Sequence, residues 1–415
     1  MSNQKFSQKL ANIFSKKSTK TTESKPVDMS VNSPINAEVN RSASTLDNKA
    51  FIKESLTHYL SDNFPQGVLA VCQQFEFNEN KSENTIEVTL TMPFLCQGEL
   101  DVLAQTLTDA LSETLASTVI IKVKLDIKAV RQFSLGKDNA SANQQGKVSN
   151  IIAIASGKGG VGKSTTTVNL AYALMSEGAK VGILDADIYG PSIPSMLGIK
   201  DQKPSSIDGK LMTPLKAKGL HAMSIGFLVD EADATVWRGP MASSAFNQLL
   251  NETDWPELDY LLIDMPPGTG DIQLTLAQKV PVAASVIVTT PQDIALIDAV
   301  KAVAMFDKVK VPVLGIVENM SYHLCENCGH QSHIFGESGG IHMAEDYETT
   351  LLGQLPLDIA IRQDADLGES EIIENSAGEI ANHYRKIARN VSAQLFLQCD
   401  TSSPFNAEIV KIKAD

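Results

Sequence analysis

The stretch Ile151-Ile152-Ala153-Ile154-Ala155-Ser156-Gly157-Lys158-Gly159-Gly160-Val161-Gly162-Lys163-Ser164-Thr165 decides the fold. An apolar run of strand length leads into the pattern G-x-x-x-x-G-K-[ST], and a helical pattern, TVNLAYALMSEG, follows to Gly178. Strand, glycine-rich turn and helix in this order form the phosphate-binding loop of a nucleotide-binding protein. The glycines let successive N–H groups turn inward as an anion nest, and the helix presents its positive end at the same point. Lys163 is placed to face the β- and γ-phosphates, and the Ser164 hydroxyl to ligate Mg²⁺. Gly157 through Thr165 is the nucleotide-binding set that this reading assigns.

Outward from the loop, the short apolar runs VGILD, LLID, ASVIVTT, VPVLGIV and LLGQLP alternate with helical patterns such as IALIDAVKAVAMF. Such alternation predicts βαβ units: an α/β fold whose mostly parallel sheet is covered by helices on both faces. Asp264 closes LLID at the Walker B position, with Gly268 and Gly270 beyond it in a segment suited to sensing a γ-phosphate. Asp185 and Asp187, in GILDADIYGPS, also stand where a strand should end. Ser164, Asp185 and Asp264 are the candidate magnesium ligands. For each aspartate the plainer reading is a helix cap or turn residue.

At 415 residues the chain has room for two to three domains at about 150 residues each. Residues 1–48 are rich in Ser, Asn, Thr and Lys, the composition of a disordered tail. Phe6, Leu10, Ile13 and Phe14 among lysines would also suit a short amphipathic helix. A small α+β domain is expected over 49–130, with Ile86, Val88, Leu90 and Met92 alternating in one strand, Leu100, Leu103, Leu107 and Leu111 on one helix face, and a second strand over 119–127. A polar linker over 131–148 leads to the nucleotide-binding domain, 149–400, and 401–415 forms a C-terminal tail.

The formal charge of −14 sets the average surface against phosphate backbones and anionic lipid. No apolar run reaches the ~18 residues that span a bilayer. Neither nucleic acid nor a stable membrane association is expected. Five cysteines, an odd and sparse set, and a start without an apolar leader point to a reducing, cytoplasmic setting.

Lys158 is a second lysine inside the loop, and its side chain cannot easily fold back onto its own phosphates; it is better suited to a site in trans. Gly-Lys-Gly-Gly-x-Gly-Lys-Ser with that lysine resembles the deviant Walker A class of MinD, ParA and the nitrogenase iron protein. Members of that class form nucleotide-sandwich dimers in which the lysine contacts the partner's nucleotide. LDADIYGPSIPSMLG, WRGPMAS, DYLLIDMPPGTGDIQLTL, TTPQDIALID and GIVENMSYHLCENCGHQSHIFG together resemble the Mrp/ApbC family of bacterial iron-sulfur cluster carriers, nearly continuously from about 150 to 365. The resemblance implies ATP and Mg²⁺ at Gly157 to Ser164, Asp187 in a switch segment near the attacking water, Asp264 as Walker B, and Asn319 at the adenine edge. Lys163, Asp187 and Lys158 are then the candidate catalytic residues. Hydrolysis is expected to be slow, because no arginine finger in cis is evident.

Cys325-Glu326-Asn327-Cys328, followed by Gly329, reads as a knuckle turn able to aim two thiolates at one metal. A four-iron cluster takes four cysteines, and Cys72, Cys96 and Cys399 sit in unrelated segments as core-type cysteines. An isologous homodimer completes the count by bringing Cys325 and Cys328 of both chains to one axis. The resemblance favours this bridging 4Fe-4S cluster, passed from cluster donors to apo iron-sulfur proteins. Zinc held by Cys325, Cys328, His330 and His333 fits the spacing too, as does, less well, a redox dithiol. Haem attachment is excluded because Gly329 stands where the histidine should. His323 is set aside as a surface or packing residue, and the run Trp237-Arg238-Gly239-Pro240 reads equally as a structural turn or as one whose Arg238 contacts phosphate or the neighbouring subunit. The opposing functional class is a positioning ATPase of the MinD/ParA kind, binding membrane or DNA and carrying a structural zinc. Its best surface would be a C-terminal helix with Ile380, Tyr384, Ile387, Val391 and Leu395 on one face and Arg385, Lys386 and Arg389 nearby, a spacing that more often marks a core-packing helix.

Overall fold

The chain builds two sheets, each with its own hydrophobic core. The computed structural model describes residues 48–112, 117–130, 147–206, 209–229 and 239–399. The expected tail up to 47, most of the expected linker, Trp237-Arg238 and the C-terminal tail lie outside the described residues.

The first part comprises α1 (Asn48–His58), α2 (Val68–Val71), β1 (Gln74–Asn80), β2 (Thr85–Met92), α3 (Gln97–Ser112) and β3 (Thr118–Leu125). Strand β2 alternates in burial, so that Ile86, Val88, Leu90 and Met92 face the core and the threonines and Glu87 face outward. Helix α3 buries Leu100, Leu103, Leu107 and Leu111 against the same core and carries the chain over to β3, which therefore pairs parallel to β2. Strand β1 forms an antiparallel hairpin with β2. It is mostly exposed, and its sequence, QFEFNEN, carries too little apolar alternation to read as a strand in isolation.

The second part runs β4 (Val148–Ala155), α4 (Lys163–Ser176), β5 (Val181–Asp185), α5 (Ile193–Met196), β6 (Leu215–Ala217), β7 (Leu220–Ser224), α6 (Gly239–Asn251), β8 (Leu258–Asp264), α7 (Asp271–Lys279), β9 (Ala284–Thr289), α8 (Asp293–Lys308), β10 (Val313–Leu324), β11 (Gln331–Ser332), α9 (Gly339–Asp346), β12 (Leu351–Pro356), α10 (Ile359–Leu367), α11 (Glu371–Glu374) and α12 (Glu379–Cys399). Its strands lie in the order β12-β10-β9-β4-β8-β5-β7-β6, parallel throughout except for β6 and for β11, which folds back on the end of β10. Strands β5 and β9 are buried along their whole length and β8 at every position but Asp259, as expected of strands covered on both faces. From β4 the chain proceeds to β5 on one side, and later lays β9 on the other. That reversal of direction opens a crevice at the carboxyl end of β4, where parallel sheets bind their ligands.

Helix α12 is shared by both cores. Tyr384, Ile387, Val391 and Leu395 are buried in the larger one, Ala393 in the smaller, with Phe396 packed against the latter. Each large apolar side chain withdrawn from water contributes about 1.5–3 kcal/mol. The face offered by the sequence as a membrane or DNA surface is thus a packing face. Two of its three cations are engaged as well: Arg385 Nε and Arg389 Nη1 lie 2.8 and 2.7 Å from Oε1 of Glu177, whose side chain is fully buried. No helix among the described residues is long and apolar enough to cross a membrane.

Candidate functional site

Three strand ends converge on the crevice. Strands β4, β8 and β5 are neighbours, and Asp185 stands in register with Asp264, which pairs with Ile154 on β4. The last residues of β8 and β5 therefore meet the loop that leaves β4. That loop is shaped by two glycines for two different reasons. Gly157 passes so close to the backbone of Asp298 and Ala299 in α8 that a Cβ would overlap it. Gly162 has φ +79°, a left-handed conformation, and a Cβ there would strike the Asn319 amide. Beside Gly160, φ +80°, a Cβ would meet nothing within 4 Å, so the concave side of the loop is open. Gly162 is also the N-cap of α4, whose unpaired N–H groups point into that space.

Lys163 and Asp264 are buried together. Lys163 Nζ lies 2.7 Å from Asp264 Oδ1, with side-chain exposures of 6% and 0%. The Ser164 hydroxyl donates to Oδ2 at 2.6 Å and the Thr167 hydroxyl to Oδ1 at 2.7 Å. Asp185 accepts from Ser224 Oγ at 3.1 Å and from the N–H groups of Asp187 and Ile193 at 3.0 and 3.3 Å. Full burial, reinforced by the neighbouring charge of Asp264, pushes the Asp185 carboxyl up to about 8. Asp187 is half-buried, and burial raises its carboxyl too. Thr165 is half-buried on the first turn of α4. The sequence reading omits Thr167, although a hydroxyl three residues after Ser164 falls on the same helix face.

Lys158 stands apart from this cluster: its Nζ reaches only Gln292 Oε1, at 3.4 Å. Asn319, on β10, donates from Nδ2 to the carbonyl of Val161 at 2.9 Å. Beyond Asp264, the Gly268 N–H donates to Ser156 O at 3.1 Å, and Gln273 Nε2 donates to Pro266 O at 3.2 Å and lies against Pro267 O. Gln273 thereby pins the segment that follows Walker B, a role no local pattern announces.

Strand β10 outruns its neighbours. Its pairing with β9 stops at Glu318, opposite Thr289, yet it continues to Leu324 and delivers the cysteine turn beyond the sheet edge that carries the phosphate loop. Cys325 is half-buried and Cys328 exposed. The turn is closed by Gly329 N–H to Cys325 O at 2.8 Å and by Cys325 N–H to His330 O at 3.0 Å. N–H groups of Cys328 and Asn327 aimed at its sulfur, with help from the Cys328 thiol, hold the Cys325 thiol below its usual range. The tetrahedral cage allowed by the spacing is not assembled. Gln331 Nε2 donates to His333 Nε2 at 3.3 Å, and His333 Nδ1 is turned to Ser321 O at 3.0 Å. Among the described residues no three His, Cys, Asp or Glu side chains gather to hold a metal. His323 Nδ1 pairs with Leu357 O at 3.2 Å, a packing role.

Known proteins place this geometry. The family model of the NUBPL iron-transfer P-loop NTPase matches residues 147–392. The iron-sulfur cluster carrier protein of Salmonella typhimurium is 54% identical over 319 residues, covering 76% of this chain and 84% of that protein. The iron-sulfur cluster transfer protein NUBPL of Mus musculus is 48% identical over 250 residues, 60% of this chain and 78% of that one. Among solved structures, a nucleotide-binding protein of Archaeoglobus fulgidus in complex with ADP superposes with a TM-score of 0.52 at 38% identity, over 59% of this chain and 95% of that chain.

Proposed function

Because the chain belongs to the family of NUBPL iron-transfer P-loop NTPases, we propose that it is a slow, switch-like ATPase that carries a labile 4Fe-4S cluster between two subunits and passes it to apo iron-sulfur proteins in the cytoplasm. The observation that carries this reading is the placement of Cys325 and Cys328 on a turn beyond the same sheet edge as the phosphate loop, with two N–H groups directed at the Cys325 sulfur.

The residues fit ATP and magnesium. The open, glycine-lined loop at the start of α4 suits an anionic phosphate chain. Lys163 would leave Asp264 for the β- and γ-phosphates, and Ser164, Asp185 and Asp264 would turn to the metal. Magnesium supplies charge neutralisation across the β- and γ-oxygens when bound. Asp187, whose N–H donates to Asp185 at the turn after β5, would orient water. Asn319, Thr165 and the loop amides complete the nucleotide seat, with Asn319 Oδ1 left to face adenine.

One chain offers two thiols, and a second copy supplies the other two. Ile294 and Tyr189, at 70% and 57% exposure, follow the carboxyl ends of β9 and β5, and Ile334, at 57%, follows the cysteine turn. A second copy seated on that edge would cover these apolar side chains, bring Lys158 to the partner's phosphates and bring the two cysteine pairs to one axis. Hydrolysis then changes how the two copies meet, and the metal chemistry stays with the cluster. Anaerobic reconstitution with iron and sulfide tests the reading: about four irons per dimer, with the absorbance of a 4Fe-4S cluster, are expected. One zinc per chain and no iron would overturn it.

A further inference from the structure

Strand β10 is kinked between the two sites. Its pairing with β12 loses register between Glu318 and Tyr322, and Met320 within that step has φ +56°. A left-handed methionine inside a strand persists only where its neighbours are held. They are held on three sides. Asn319 grips the phosphate loop through Val161 O at 2.9 Å. The carbonyl of Ser321 is held by His333 Nδ1 at 3.0 Å, in the segment that returns from the cysteine turn. Directly before them on the strand stands Glu318, 1% exposed and outside both sites. Its Oε1 accepts from Gln354 Nε2 at 2.8 Å and lies 2.7 Å from the Ser321 hydroxyl, and its Oε2 takes the Gly340 N–H at the start of α9. A carboxyl group is costly to bury unless it is fully engaged, and here every partner belongs to the kink or to what the kink rests on.

We propose that Glu318 is a positioning residue: by fixing the kink of β10 it holds Asn319 against the phosphate loop and transmits the state of that loop to Cys325 and Cys328. The proposal rests on the nucleotide and cluster reading given above, and deepens it by naming a route. A displacement of Val161 O carries Asn319 with it. With Glu318 anchored, the strand pivots at Met320 instead of sliding. Ser321 O moves with His333, so both limbs of the cysteine turn follow, one through Leu324 and one through the hairpin that supplies His330 O to Cys325. Coupling of this kind is reciprocal, so whatever nucleotide does to the cysteines, a ligand on the cysteines does to nucleotide affinity by the same factor.

The experiment uses the full chain, metal-free and reduced. Alkylation of Cys325 and Cys328 by iodoacetamide is timed by peptide mass spectrometry with and without Mg²⁺ and ADP. ADP is chosen over ATP so that a pairing of chains through the γ-phosphate does not shield the thiols. In the wild type, ADP is expected to change the rate at these cysteines by about fivefold or more. In Glu318→Gln that change disappears even at ADP concentrations that saturate the variant, as judged with a fluorescent ADP analogue. Ser321→Ala, a smaller alteration that removes a partner of Glu318, weakens the change and serves if Glu318→Gln does not fold. A wild type whose thiols ignore ADP, or variants that keep the full ADP effect, would overturn the proposal. Failure of the underlying reading looks different: wild-type protein that takes up no iron, yet shows the ADP effect, refutes the carrier and leaves the coupling standing.

Discussion

The Lys163 ammonium lies 2.7 Å from Asp264 Oδ1, in a pocket where neither side chain is appreciably exposed. The two groups assigned to phosphate and metal satisfy each other, and Ser164 and Thr167 complete the coordination of the carboxylate. On the proposed reading, nucleotide would displace an internal ion pair. Such a pair gains little net stability from its own burial, yet leaves a costly charge behind when one partner is removed.

Lys163→Ala is expected to lower phosphate release by about a hundredfold or more, since it removes the charge facing the developing phosphoryl anion. It should also lower the melting temperature of the nucleotide-free protein by an amount equivalent to up to about 3 kcal/mol, because Asp264 keeps only its hydroxyl partners. Near wild-type turnover in a phosphate-release assay would remove the loop assignment.

Lys158→Ala should leave the melting temperature almost unchanged, the one polar contact of its ammonium among the described residues being a 3.4 Å approach to Gln292. ATP-dependent dimerisation, followed by light scattering, and hydrolysis should fall while the monomer's affinity for nucleotide is retained. Loss of monomer binding as severe as in Lys163→Ala would end the argument for a contact in trans.

Replacing Cys325 or Cys328 by Ser should abolish iron uptake on reconstitution, since each change removes two of the four proposed ligands. His330→Ala combined with His333→Ala should retain it, because His333 is turned to Ser321 and not toward the thiols. Metal analysis after anaerobic purification decides, and zinc lost with the histidines would be the contrary result.

Asp185 gives a pH signature. Its folded-state value is pushed up to about 8, by burial first and by Asp264 second, from an ordinary 3.8. Between these limits the folded chain holds a proton that the unfolded chain has released. This group's contribution to stability therefore falls as pH rises through that window, by at most about 1.4 kcal/mol per pH unit, and levels off above it. The melting temperature of the nucleotide-free wild type should decline from pH 5 to 8, and Asp185→Asn should flatten that decline. Binding of Mg²⁺ and nucleotide at pH 7 should release close to one proton, read by calorimetry in buffers of different ionisation enthalpy. Equal heats in all buffers would contradict the metal assignment.

The phosphate loop was legible because its chemistry is local: eight consecutive residues carry the glycines, the lysine and the hydroxyl, and the strand and helix around them follow from apolar spacing. Asp264 and Asp185 were legible because parallel strands place their last residues along one edge. Thr167, Gln273 and Glu318 were not, since their meaning lies in partners brought close by the fold: Asp264 for Thr167, Pro266 for Gln273, Gln354 and Gly340 for Glu318. The apolar face of α12 was ambiguous for a physical reason, because a helix packing on a core and one lying on a membrane need the same period. Only the tertiary partners, Glu177 among them, separate the two. Cysteine and histidine spacing likewise permitted a zinc cage, and only the fold shows His333 engaged with Ser321 O instead.

Helix α12 has a consequence for how the molecule is made. It occupies 379–399, packs Tyr384 and Ile387 into one core and Ala393 into the other, and its Ser392 hydroxyl lies 2.7 Å from Tyr260 OH and accepts the Leu95 N–H at 2.9 Å. A ribosome delivers this helix after every strand of both sheets. The emerging chain therefore carries two unfinished cores throughout synthesis, their gaps on the strands and helices that await α12, and both are completed by the same late segment. Premature termination ahead of 379 would leave both cores open at once.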